Sequence, residues 1–159
     1  MGPKRLAQTL VVDVAAERIL LAFHKEGDMQ GCYTGFLDEL LEGETPESGA
    51  VRITTEQCGL IVEQAELRAV FHFTGEDYPG ADEYEYYATS YRGTLRESVE
   101  VRPQWFELDK IPYELMPADD ALWYPPFLAG KLQRGSFHFG TGMKELLRHQ
   151  FSEVDELVF

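Results

Sequence analysis

The sequence predicts an α+β fold, with helices packed on a mixed sheet. Three observations predict it. Runs rich in β-branched and aromatic residues outnumber helical ones. One well-capped helix falls between strands rather than in a bundle. The 159 residues are 44% apolar and 13% aromatic, enough for one domain with its own core.

Thr9–Ala15 (TLVVDVA) and Arg18–His24 (RILLAFH) are apolar and β-branched, split by a short turn, and read as a hairpin. Gly27–Thr34 reads as a loop and Leu37–Leu41 as a short strand. The stretch GETPESGAVRITTEQCGL, Gly43 to Leu60, then supplies the helix. Thr45 suits the N-cap, Pro46 the first helical position, Glu47 the positive end of the dipole and Gly59 a left-handed stop. Thr54 and Thr55 are weak helix formers, so contacts elsewhere must hold this segment. Leu67–Thr74 and Glu83–Tyr91 alternate as strands with one buried face, and Pro103–Leu108 is a further short strand. Asp119 is expected to cap a second helix reaching about Leu132, disturbed at Pro125-Pro126. Ser136–Phe139 and Phe151–Val158 are expected as edge strands. Repeats, linkers and low-complexity tracts are absent from the sequence.

The formal charge is −14, from 28 acidic against 14 basic side chains. Such a surface is repelled by nucleic-acid polymers and anionic lipid, which require clustered Lys and Arg. Neither partner is expected. Cys32 and Cys58 have no zinc-type spacing, and a reducing, cytoplasmic compartment fits them. The sequence carries no run of membrane-spanning length and no signal-peptide pattern. It leaves the oligomeric state open.

On a helix, positions 53, 56 and 57 share one face. Three carboxylates there would make a hard oxygen cluster for Mg²⁺ or Mn²⁺. Here the three are Ile53, Glu56 and Gln57. The glycine-containing turn before the helix would let backbone approach a phosphate or a metal. The stretch resembles the box of the Nudix hydrolases, Gly-x5-Glu-x7-Arg-Glu-U-x-Glu-Glu-x-Gly-U, where U is a bulky aliphatic. Glu44, Arg52, Glu56, Gly59 and Leu60 match it. Asp38 stands in place of the first Gly, Ile53 and Gln57 in place of two Glu, and Thr54 in place of the aliphatic. Further segments are similar to the MutT-type oxidised purine nucleoside triphosphatases of that family: EGETPESGA, GTLRESVEVRPQWFELDKIP, DDALWYP and the closing EVDELV.

The resemblance implies a single Nudix-like domain over 1–159, an α/β/α sandwich with a mixed sheet between helices. It implies metal-dependent hydrolysis of an oxidised or ordinary purine nucleoside triphosphate to monophosphate and pyrophosphate, with Mg²⁺ or Mn²⁺ as cofactor. Glu56 matches a metal ligand and catalytic carboxylate, and Arg52 an orienting residue. Glu44 matches a further conserved acid of the box, and Glu100 a metal-reaching loop carboxylate with Glu97 beside it. Asp119 and Asp120 match the pair that reads the purine edge, and Trp123, Phe71, Thr9 and Thr34 match positions around the base. The departures are Thr34 where the group has Asn, Met116-Pro117-Ala118 where it has a stacking Trp, and Asp28 where it has an aromatic. The alternative is a Nudix-fold nucleotide-binding or interaction protein with impaired catalysis. Each residue also has a plainer reading. Glu56 can be a solvated partner of Arg52, Asp119 a helix cap, Trp123 a core aromatic and His24 an exposed histidine.

Overall fold

The computed structural model describes residues 3–157. In chain order the elements are β1 (Lys4–Asp13), β2 (Arg18–His24), β3 (Tyr33–Thr34), β4 (Phe36–Glu39), α1 (Pro46–Cys58), β5 (Ile61–Gly75), β6 (Tyr78–Arg92), β7 (Val101–Glu107), α2 (Asp120–Leu128), β8 (Leu132–Phe139) and β9 (Leu146–Val154). The strands form one mixed sheet ordered β3-β2-β1-β6-β5-β8-β9, with β4 beside β1 and β7 beside β2. The parallel pairs are β1–β6 and β5–β8; the rest are antiparallel.

The predicted α+β architecture is the one observed, and its two helices lie on opposite faces of the sheet. Successive strand residues point to opposite faces, and two apolar clusters follow. Ala7, Val11, Ala50, Ile53, Tyr84, Tyr86 and Ala88 pack on the α1 face. Leu10, Val12, Phe71, Phe73, Trp123, Tyr124 and Phe127 pack on the α2 face.

β5 and β6 are much longer than their alternating cores suggested, each running 15 residues. Their ends carry bulges that bend them past the layer. Tyr33–Thr34, expected in a loop, pairs with β2. The second helix stops at Leu128, and Leu132 opens β8 instead of closing the helix. Gly130, at φ 91°, ends the helix, its amide donating to Phe127 O and that of Lys131 to Pro126 O. β8 is flanked by β5 and β9, so only β9 is an edge strand of the expected pair. Val158, the expected end of that last strand, lies outside the described residues.

Candidate active site

Helix α1 is built as its sequence dictates. The Thr45 hydroxyl oxygen accepts the Ser48 amide at 3.2 Å, and Gly59 closes the helix at φ 84°, its amide donating to Thr55 O. The two weak helix formers find backbone partners. Thr54 Oγ1 donates to Ala50 O at 2.8 Å, and Thr55 Oγ1 to Leu60 O at 2.8 Å.

Arg52 is the hub of the outward side. Its Nε meets Glu44 Oε2 at 2.7 Å and its Nη2 meets Glu44 Oε1 at 2.9 Å, a two-point ion pair. Nη1 reaches Glu56 Oε2 at 2.9 Å, and Nη2 donates to Glu39 O at 3.2 Å. The Arg52 hydrogen bond holds the Glu44 carboxyl below its usual range. Glu44, Arg52 and Glu56 are thus brought together as the sequence predicted. Glu56 is 60% exposed at its side chain.

The inward side departs from a metal face. Ile53 is fully buried in the core. Gln57 is buried and spends its amide on Leu37 O at 2.9 Å. Among the described residues, no group of three or more His, Cys, Asp or Glu is placed to hold one ion. Glu100 sits exposed after β6, its backbone carbonyl held by the Lys25 amide at 2.8 Å. Glu97 is ion-paired with Lys25. The expected ligands Glu56 and Glu100, with Glu97 as substitute, are therefore not joined in such a group, and Glu97 is taken by Lys25. The donors present do not fit a resident Mg²⁺ or Mn²⁺, which requires several oxygen ligands with more than one carboxylate, or substrate phosphates in their place.

On the other face, Asp119 and Asp120 are buried and hydrogen-bonded to each other. Asp119 does not cap α2. Its own backbone is helical, and its Oδ2 accepts Trp123 Nε1 at 2.8 Å. The Trp123 ring lies 5.3 Å from Phe71 and 4.6 Å from Tyr124. Thr34 is buried, donates to Gly35 O at 2.6 Å and lies 2.7 Å from His24 Nε2. That hydroxyl geometry makes His24 Nε2 the donor. His24 is buried rather than exposed, and burial lowers its pKa.

Thr9 is not part of this group. Strand alternation turns it to the α1 face, where Oγ1 lies 3.4 Å from Ala50 O. Its neighbour Gln8 faces the aspartates instead. Gln8 Nε2 donates to Glu85 Oε2 at 2.6 Å, and Gln8 Oε1 accepts Gly35 N at 2.7 Å. Glu85 is fully buried and hydrogen-bonded to Glu83. Sequence reading missed Gln8, Glu83 and Glu85. The available signal was the central position of the Glu83–Tyr91 strand, which buries both faces and so encloses the acids between its tyrosines.

The four carboxyls share one environment. Burial, then the nearby Asp119 charge, raises the Glu83 pKa to about 8. Burial raises Glu85, Asp119 and, strongly, Asp120 as well. Asp120 Oδ2, Glu85 Oε1 and Tyr124 Oη are buried without a hydrogen-bond partner. A buried carboxyl that keeps its proton both donates and accepts.

The segment Thr34–Leu37 ties the two halves together. Gly35 N reaches Gln8 on the carboxyl side, and two residues later Leu37 O receives Gln57 from α1.

No protein-family model matches the chain. It is 39% identical over 151 residues to the oxidized purine nucleoside triphosphate hydrolase of Danio rerio, covering 94% of this chain and 96% of that one. The Mus musculus protein of the same name is 38% identical over 159 residues, covering 98% and 99%. The fold superposes on the MutT protein of Bacillus halodurans with a TM-score of 0.83 at 24% identity, covering 94% and 97% of the two chains. A MutT Nudix hydrolase of Burkholderia pseudomallei gives 0.66 at 24% identity, covering 74% and 93%. With that identity sustained along nearly the whole length of both relatives, and with the fold they share, the chain belongs to the oxidized purine nucleoside triphosphate hydrolases, a MutT-type family of Nudix hydrolases.

Proposed function

We propose that this chain hydrolyses an oxidised purine nucleoside triphosphate to its monophosphate and pyrophosphate. The observation that carries the reading is the Asp119–Asp120 pair, enclosed, mutually hydrogen-bonded and anchored by Trp123. Burial raises the pKa of both, and a pair that keeps one proton offers a donor next to an acceptor. An oxidised purine edge presents the complementary acceptor and donor. The unpartnered Asp120 Oδ2 is one of the atoms that such an edge would satisfy. Phe71 and Trp123 form the apolar wall.

Nudix hydrolases generally use divalent metals such as Mg²⁺. Here the donor set favours a cation that arrives with the substrate, as the Mg²⁺ or Mn²⁺ complex of the triphosphate. In the hydrolytic step the oxygen of water bonds to one phosphorus of the α–β bridge as that phosphorus's bond to the bridging oxygen breaks, giving the monophosphate and pyrophosphate with the bridging oxygen kept by the other product. Glu56, the exposed helix carboxylate, takes the water's proton. Arg52 positions Glu56 from one turn away, and Glu44 fixes Arg52.

A second reading is nucleotide binding without turnover. Ile53 and Gln57 on the helix face favour it, since neither supplies a negative oxygen. One experiment separates the two. The purified protein is incubated with Mg²⁺ or Mn²⁺ and a panel of nucleoside triphosphates including 8-oxo-dGTP, and pyrophosphate is followed. Turnover of the oxidised purine that falls about 100-fold in Glu56→Gln supports hydrolysis with Glu56 as base. Nucleotide-dependent thermal stabilisation without turnover supports the second reading. Absence of both would refute each.

A further inference from the structure

We infer that the side chains of Gln57 and Arg52 form a metal-independent latch between α1 and β4, and that the Gln57 carboxamide occupies the electrostatic role a resident cation would otherwise have. The argument starts from β4. One edge of this short strand pairs with β1, as Leu37 does with Gln8 and Glu39 with Leu6. Carbonyls two residues apart on a strand point the same way. Leu37 O and Glu39 O both point toward α1, where they receive Gln57 Nε2 at 2.9 Å and Arg52 Nη2 at 3.2 Å. The helix thus satisfies an exposed strand edge with two side-chain donors.

The chemistry at position 57 decides what this junction can hold. Leu37 O is an acceptor, so the buried group facing it must donate. A carboxamide does so unaided, and this fixes which end of Gln57 faces the carbonyl. A carboxylate in the same place would set oxygen against oxygen, and only a cation between them would make that arrangement favourable. Amide and cation are two solutions of one problem, and this chain has the amide. The remaining positions agree. Ile53 is fully buried in the core, and the Glu56 oxygen nearest the junction is engaged by Arg52. Gln57 Oε1 is buried without a partner, a single neutral oxygen where a cation would need several.

The nucleotide-free protein therefore closes the α1–β4 junction without metal. Any divalent cation enters with the triphosphate; that last clause rests on the proposed function, whereas the latch does not. The test is thermal unfolding of the nucleotide-free protein in EDTA and in Mn²⁺, for the native chain and for Gln57→Glu. The native chain is expected to melt at the same temperature in both. Gln57→Glu is expected to melt at least about 2–4 °C lower in EDTA and to recover that loss in Mn²⁺. Manganese electron paramagnetic resonance reads the same event as loss of free-ion signal in the variant alone. Should Gln57→Glu not fold in EDTA, Gln57→Met keeps the shape without the donor, and a loss of stability indifferent to Mn²⁺ supports the latch. Mn²⁺ stabilisation of the native chain without nucleotide, or stoichiometric ion uptake by it, would overturn the inference. A separate arm with 8-oxo-dGTP tests the proposed function: no shift there, with the EDTA and Mn²⁺ results as expected, rejects the function and keeps the latch.

Discussion

Glu83 should make this protein lose stability as pH rises across the neutral range. Its pKa rises from the ordinary 4.5 to about 8 in the fold, by burial first and by the Asp119 charge second. The folded state then binds a proton that the unfolded chain has released. Below pH 4.5 both states are protonated and the group's contribution is complete. Between 4.5 and 8 the unfolded chain alone ionises, and stability falls by up to about 1.4 kcal/mol per pH unit. Above 8 both states are ionised and the loss is complete. Glu83 is only half-buried and titrates together with Glu85, so solvent screening and shared protons reduce the full span to about 2–3 kcal/mol. Urea unfolding at pH 5, 6, 7 and 8 measures it. The native chain should weaken across this range, and Glu83→Gln should weaken less steeply and be the more stable of the two at pH 8, the raised Glu85, Asp119 and Asp120 keeping part of the slope in both. The depressed Glu44 contributes in the opposite sense, but only as pH falls below the ordinary carboxylate range, outside this window. Parallel slopes in the native chain and Glu83→Gln would refute the argument, because the general self-repulsion of an acidic chain predicts that result.

Arg52→Ala should destabilise by about 2–3 kcal/mol in urea unfolding, since Glu44, only 12% exposed at its side chain, loses both charged donors; a change under about 0.5 kcal/mol would make the cluster a surface ornament. Gly59→Ala should cost about 1–3 kcal/mol by the same assay, because a Cβ there would lie 2.6 Å from Thr94 O at φ +84°; an unchanged unfolding midpoint counts against the α1 stop as described. Asp120→Asn should weaken 8-oxo-dGTP binding at least about tenfold by calorimetry and raise the unfolding temperature of the free protein, because an acid desolvated by the fold is replaced by a neutral amide. Equal affinity would remove Asp120 from base recognition.

Local chemistry carried most of what the sequence revealed. Thr45, Pro46 and Gly59 marked both ends of α1 because caps act within a turn of the residue that makes them. The Arg18–His24 strand emerged with its limits intact because the turn before it, residues 14–17, is short. The resemblance grouped Asp119, Asp120, Trp123 and Phe71, and Trp123 meets Asp119 and Phe71 in the fold. What stayed hidden depends on neighbours remote in sequence. The outer parts of β5 and β6 lie beyond the alternating runs Leu67–Thr74 and Glu83–Tyr91, yet the two strands pair along nearly their whole length with each other. Thr9 against Gln8 is a question of which face of β1 meets α2, and a residue-level likeness does not answer it when the chain buries both faces.

The same logic explains why this box helix is intelligible despite its substitutions. Ile53 reads as damage if the helix face must hold an ion, but it faces the α1-side core, where it packs with Ala50, Val62 and Tyr84. Gln57 reads as a weakened ligand until its amide is seen against Leu37 O. Each replacement removes a negative oxygen and adds an interaction that needs no counter-ion, so the two changes compensate each other. Across the sheet, Glu83 and Glu85 place acids beside Asp119 and Asp120, where burial raises their pKa and Gln8 holds Glu85 in place. The enclosed acids of this chain thus lie on the α2 face, and its α1 face is closed by neutral and ion-paired groups.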